Sequence, residues 1–319
     1  MRLLPVAGFV VLIGAFWFTA DYFGVTGRSG AHPALLVASF ILLLAPYWFL
    51  GFGLADGLRE RLNGPFPRVL GSMALVIPYL VFAIGSGAFR LGFSAALLLT
   101  IVGIVAVLEL VRAQWADYVV LAAVALLIER HIFDSAWPIP GLSGLIKLLF
   151  VDVVLYAYLV VRRGQGFPLT FDLHAKLRDF ATGFREFVYY APVALALGFA
   201  LGFLHLHKDV GSPMHVSAQI AASWIFTLFL VAIPEEIFFR GILLQLFEKN
   251  LGTRPSLLLT SLIFGLAHFN KRAVFNWRYV ILAAIAGWFY GRAYLAHRRV
   301  LTSGVTHATV DTIWSIWLR

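Results

Sequence analysis

Residues 229–247 read FLVAIPEEIFFRGILLQLF, and how that stretch is read decides the fold. Glu235, Glu236 and Arg240 stand inside a run that is otherwise apolar on both sides. A charge at the centre of a membrane helix costs at least ~2.5–3.5 kcal/mol even on the most lenient insertion scale. Three of them so close together need a reason. The rest of the chain says what the surrounding solvent is. It has 319 residues, of which 61% are hydrophobic and only 13% charged. A soluble domain carries roughly 25% charged residues. The class is therefore all-α, a polytopic transmembrane helical bundle.

The net charge of +9 would suit nucleic acid, but the Lys and Arg residues lie in short loops between apolar runs. That is the pattern of a topology signal, so no nucleic-acid partner is expected and the lipid bilayer is. There is no cysteine, which excludes disulfides, thiol nucleophiles and thiolate metal sites. The first 23 residues resemble a signal peptide, but the apolar run is long, rich in bulky aromatics and without a small-residue cleavage site. They read as a first membrane helix that is retained.

A membrane helix needs ~20 apolar residues. Candidate spans lie at 3–22, 34–55, 69–89, 92–111, 116–129, 144–161, 187–205, 216–234, 255–269, 276–296 and 300–317. The fifth and ninth are short. If the N-terminus is cytoplasmic and all eleven cross, fourteen Lys and Arg residues lie in cytoplasmic segments and nine outside, which favours that orientation. The longest polar connection, 162–186, divides the chain into an N-terminal bundle of about six helices (1–180) and a C-terminal domain (181–319). Within it, FDLHAKLRDFATGFREF (171–187) reads as an amphipathic helix lying at the cytoplasmic interface.

Three polar signatures mark the last third. Glu236 and Arg240 are four apart and share a helix face, so the guanidinium neutralises that carboxylate. Glu235 points about 100° away, towards another task. Phe264 and His268 form a second such pair, and His307 and Asp311 a third. Glu235 lies 13 residues, or ~20 Å, before the end of its helix near Glu248. His268 lies 13 residues into a helix that starts near Pro255. A tight antiparallel turn over KNLGTR puts the two at one depth, and His307 with Asp311 enters on a later helix. A carboxylate beside a neutral imidazole can take a proton from water, and a second imidazole can donate to an oxyanion. The same groups suit a divalent metal.

Each feature alone has a plainer explanation. Glu236–Arg240 by itself is a structural pair, a single membrane His is a helix–helix hydrogen bond, and Asp311 is a partner for Arg292 or a polar lining. Glu109, Asp117 and Asp152 read as structural or helix-end residues. His205, His207 and His215 read as a solvated outer loop rather than a surface metal site. The three signatures together outweigh those explanations, because ionisable residues inside a membrane are functional candidates by default.

Together they resemble the CPBP family of intramembrane endopeptidases, which includes the type II CAAX prenyl proteases and the bacteriocin-processing or immunity proteins of the Abi group. The family pattern is EExxxR, FxxxH, then HxxxN or HxxxD. Here it reads EEIFFR at 235–240, FGLAH at 264–268 and HATVD at 307–311, with the less usual Asp in last place. The resemblance covers about 185–319. It implies a protease whose cavity lies within the bilayer. Glu235 would activate water with help from His268. His307 and Asp311 would form the oxyanion site, and Glu236, Arg240 and Phe264 would support the cavity. The absence of an HExxH pair excludes a conventional zincin. The expected mechanism is glutamate-dependent and needs no cofactor. A divalent metal such as Zn²⁺, if one is bound, would be held by Glu235, His268 and His307.

The expected activity is hydrolysis of a peptide bond in a membrane-associated protein or peptide, prenylated only where the host prenylates proteins. The expected location is a bacterial plasma membrane, crossed several times. A transporter with a Glu/His/Asp proton or ion relay is the alternative, but it predicts inverted repeats and none is visible. A non-catalytic scaffold is the third reading, which the intact signatures oppose. The sequence leaves the oligomeric state open.

Overall fold

The computed structural model describes residues 3–22, 32–137, 144–163, 171–206, 213–269, 271 and 275–318. Arg2, Arg28, His207, Lys208, Arg272 and Arg319, which enter the loop and charge readings above, lie outside them. The described chain is 84% helical with no strand, as an all-α membrane bundle requires. Lipid offers no hydrogen bonds, so every backbone amide must be satisfied within its own segment. This is an integral membrane protein.

The helices run α1 (Leu3–Tyr22), α2 (Pro33–Gly51), α3 (Leu54–Arg61), α4 (Pro65–Gly85), α5 (Leu91–Leu110), α6 (Gln114–Glu129) and α7 (145–161), then α8 (Leu177–Ala200), α9 (213–251), α10 (Thr253–Leu266), α11 (Trp277–His297) and α12 (Val300–Trp317). They group into two compact units, residues 1–169 and 170–319.

Among the described residues, five helices are long and apolar enough to cross a membrane: α2, α4, α5, the 219–251 part of α9, and α11. This is fewer than the eleven spans expected from hydropathy. The reason is geometric in the clearest case. Helix α10 has 14 residues, ~21 Å at 1.5 Å per residue, against a hydrocarbon core of ~30 Å.

In the first unit two buried acids pair with arginines. Glu109 meets Arg112 at 3.0 Å and Arg68 at 3.5 Å, and Asp117 meets Arg162 at 3.0 Å. Asp152 is buried on α7 beside Tyr47 of α2.

The second unit carries the three signatures. The expected interfacial helix at 171–187 is not separate. Residues 171–176 are extended, and the helix that begins at Leu177 runs on to Ala200. Its acidic residues face protein, not the membrane surface: Asp179 and Glu186 are buried, while Arg178 and Arg185 are exposed. Asp179 accepts from Arg299 Nε at 3.0 Å and from Thr302 Oγ1 at 2.7 Å, which ties the start of α8 to the start of α12. Arg299 also pairs with Asp172. Partial burial pushes the Asp172 carboxyl up, but Arg299 and the His174 backbone N–H outweigh it and hold it below the usual carboxylate range. Arg292 pairs with Glu186 at 3.3 Å, so it is not the partner of Asp311.

Candidate active site

Helix α9 delivers the first signature, and its backbone is irregular there. Pro234 has no N–H, and its ring would strike the carbonyl four residues back in a regular α-helix. The chain widens to π-type turns at 228–232 and 237–243, with one α-turn, Ile233–Glu236, between them. Such turns re-phase a helix and occur often at functional sites. Here they leave Glu236 fully buried and Glu235 18% exposed at the side chain.

Glu236 binds two groups. Arg240 Nη1 donates to its Oε1 at 2.8 Å, and His307 Nδ1 donates to the same oxygen at 3.0 Å. The sequence suggested the first of these partners only. Arg240 turns its Nη2 to the Gly287 carbonyl at 2.7 Å and stacks over the Phe264 ring at 4.7 Å. Gly287 eases that approach, because a Cβ there would lie 3.1 Å from Arg240 Nη2 and 3.2 Å from Phe264 Cδ1, tighter than an ordinary contact.

His307 is 2% exposed and lies flat on Tyr290, with ring centroids 4.5 Å apart and an angle of 17°. Glu236 accepts only, so Nδ1 carries a hydrogen and Nε2 faces the other way. There it meets Asp311 Oδ2 at 3.5 Å and Glu235 Oε2 at 4.0 Å. A lone pair cannot bond to two carboxylates, so a proton or a bridging water belongs between them.

His268 sits just past the end of α10, 5% exposed, between the Phe264 and Tyr279 rings. Its Nδ1 is 2.8 Å from the Phe264 carbonyl. Its Nε2 is 3.2 Å from Lys271 Nζ, and the same ammonium reaches Glu235 Oε1 at 3.8 Å. The antiparallel turn at Gly252 brings α9 and α10 side by side, which puts Glu235 and His268 within reach of one ammonium.

The structure therefore gathers Glu235, Glu236, Arg240, Phe264, His268, His307 and Asp311 around one cluster. It adds Lys271, Tyr290 and Gly287, which carried no signal in the sequence beyond Lys271 falling three residues after His268.

Beside the cluster lies a cavity of about 150 Å³ between α8, α10, α11 and α12. His268, His307 and Asp311 form its polar side, and apolar residues such as Phe187, Ala191 and Ala286 the rest.

Among the described residues no group of three or more His, Asp or Glu side chains is arranged to hold a metal ion. The His268 nitrogen that would ligate is met by the Lys271 ammonium, a competing cation.

Comparison with known proteins bears on residues 217–313. They match the family model described as type II CAAX prenyl endopeptidase Rce1-like. The matched segment contains all three signatures, and the resemblance read from them holds there. It covers under a third of the chain, and it supports a CAAX-type intramembrane endopeptidase acting on a membrane-associated protein, in general terms. No curated protein and no solved structure matches the chain.

Proposed function

We propose that the chain hydrolyses a peptide bond of a membrane-associated protein or peptide by glutamate-activated water. The observation that carries this is the arrangement around His307. Glu235 Oε2 faces its Nε2 across 4.0 Å, a gap that one water can bridge with a hydrogen bond to each.

In this mechanism Glu235 takes a proton from that water while the water oxygen attacks the carbonyl carbon. The C–O bond forms and the carbonyl π pair moves to oxygen. A protonated His307 Nε2, held by Glu236 on its other nitrogen and by Asp311 alongside, donates to the oxyanion. Collapse of the tetrahedral intermediate breaks the C–N bond, and the amine leaves with the proton Glu235 had taken. The cavity beside the cluster, lined mostly by apolar side chains, receives an apolar part of the substrate.

The test uses purified protein in liposomes with quenched membrane peptides, including prenylated ones. Glu235→Ala is expected to lower kcat by about 10²–10⁴-fold, the usual worth of a general base. Chelators are expected to leave the wild type unchanged. Full activity in Glu235→Ala overturns the assignment of the base. Loss with chelator, restored by added metal, overturns the metal-free mechanism.

A further inference from the structure

Lys271 belongs to none of the three signatures, yet it touches two of them. Its turn is fixed from both sides. The Lys271 N–H donates to the His268 carbonyl at 3.2 Å, and Asn276 Nδ2 donates to the Lys271 carbonyl at 3.2 Å. The Asn276 N–H donates in turn to the Phe269 carbonyl at 2.8 Å, which closes the loop back on the end of α10.

The side chain is placed by the chemistry of His268. A carbonyl can only accept, so the contact of His268 Nδ1 with the Phe264 carbonyl puts a hydrogen on Nδ1. Nε2 of the neutral ring is then a lone pair, and the Lys271 ammonium, 3.2 Å away, donates to it. From that anchor the ammonium faces Glu235 Oε1 at 3.8 Å, while Oε2 of the same carboxylate faces His307. The two oxygens of Glu235 thus have different neighbours.

Charge points the same way. Among the described residues the cluster holds three carboxylates, Glu235, Glu236 and Asp311, and two cations, Arg240 and Lys271. Arg240 is committed to Glu236 and to the Gly287 carbonyl. Among the described residues, Lys271 is a cation turned to Glu235. Among the described residues, Glu235 on α9 and His268 at the end of α10 face it, with Tyr279 of α11 behind the His268 ring and His307 on the far side of Glu235.

We infer that Lys271 is a positioning residue for Glu235: anchored on His268, its ammonium holds Oε1 and so keeps Oε2 turned to the attacking water and His307. This gives His268 the role of a support for the base, acting through Lys271. The inference rests on the reading of Glu235 as the base, and the test separates the two.

Full-length wild type, Lys271→Met, Lys271→Arg and Glu235→Ala are compared in the liposome assay. Lys271→Met is expected to lower kcat by about ten-fold or more with little change in KM, because misplacing a reacting group by about 1 Å can cost ~100-fold. Lys271→Arg, which keeps charge and donor, is expected to recover most of the loss. A Lys271→Met enzyme that cleaves like wild type, beside an inactive Glu235→Ala, overturns the role of Lys271 and leaves the base standing. Equal losses in Lys271→Met and Lys271→Arg also overturn it. Activity in Glu235→Ala removes the base and the inference together. Thermal unfolding gives a readout without turnover. The Tm shifts of Glu235→Gln and Lys271→Met should fail to add in the double variant, as they do for residues in contact. Additive shifts overturn the contact.

Discussion

Arg240 is the residue whose environment explains the charges at 235–240. It is 1% exposed, and its guanidinium donates to Glu236 and to the Gly287 carbonyl while its face lies on Phe264. Burial of such a pair is weak support for stability, because desolvation offsets most of the attraction. Removing one partner is another matter, since it strands the other charge. Arg240→Met is expected to destabilise the protein by about 3–5 kcal/mol. Glu236→Gln/Arg240→Met should lose less than Arg240→Met alone, because it leaves no buried carboxylate that has lost its guanidinium and keeps the His307 Nδ1 contact. Thermal melts in detergent decide it, and a double variant no more stable than the single one would refute the argument. Glu236 is also the acceptor for His307 Nδ1, so the single Arg240 variant should lose activity even below its melting temperature.

At the scale of elements, the site depends on how closely α10 and α11 approach. At Gly265 the approach is to backbone: a Cβ there would lie 2.6 Å from the Val280 carbonyl oxygen and 2.7 Å from the Ala284 Cβ. Small residues at helix interfaces permit such approach within membranes. The neighbour is backbone and cannot swing aside, so the helices must separate. Gly265→Ala is expected to cost about 1–3 kcal/mol and to lower kcat, because His268 lies three residues further on. Wild-type Tm and kcat together would show that the contact yields without consequence. The same contact marks the limit of what the sequence discloses. Glu236 with Arg240, and His307 with Asp311, are pairs within one helix, and helical phase exposes them. The common depth of Glu235 and His268 follows from counting residues across one tight turn. Lys271, Tyr290 and the Gly287 carbonyl are met only through folding, on a turn or on a helix remote in sequence, where no periodicity points to them. Hydropathy also does not measure length: α10 is apolar, but with 14 residues it falls short of the hydrocarbon core. Residues 177–186 look amphipathic because Asp179 and Glu186 have partners on other helices, Arg299 and Arg292, which lie more than a hundred residues away.

At the scale of the molecule, the charges of the second unit predict its orientation. Several contacts fix which helix ends lie together. Asp179 to Arg299 joins the start of α8 to the start of α12, and Glu248 to Arg298 joins the end of α9 to the end of α11. Phe203 against Tyr279 and Trp314 joins the opposite ends. The first end carries Lys176, Arg178, Lys249, Arg254, Arg298 and Arg299, whereas the described residues of the other carry Lys271 and Arg278. An excess of Lys and Arg in short loops keeps that side in the cytoplasm. Because the chain contains no cysteine, one introduced thiol reports on one position. Leu251, 48% exposed at the basic end, and Leu206, 69% exposed at the other, are suitable places. With a membrane-impermeant maleimide on intact cells, Leu206→Cys should label at once and Leu251→Cys only after permeabilisation. The reverse pattern would overturn the orientation. The expected pattern also fixes from which side a substrate reaches Lys271, which lies in the turn between α10 and α11 at the end opposite the basic one.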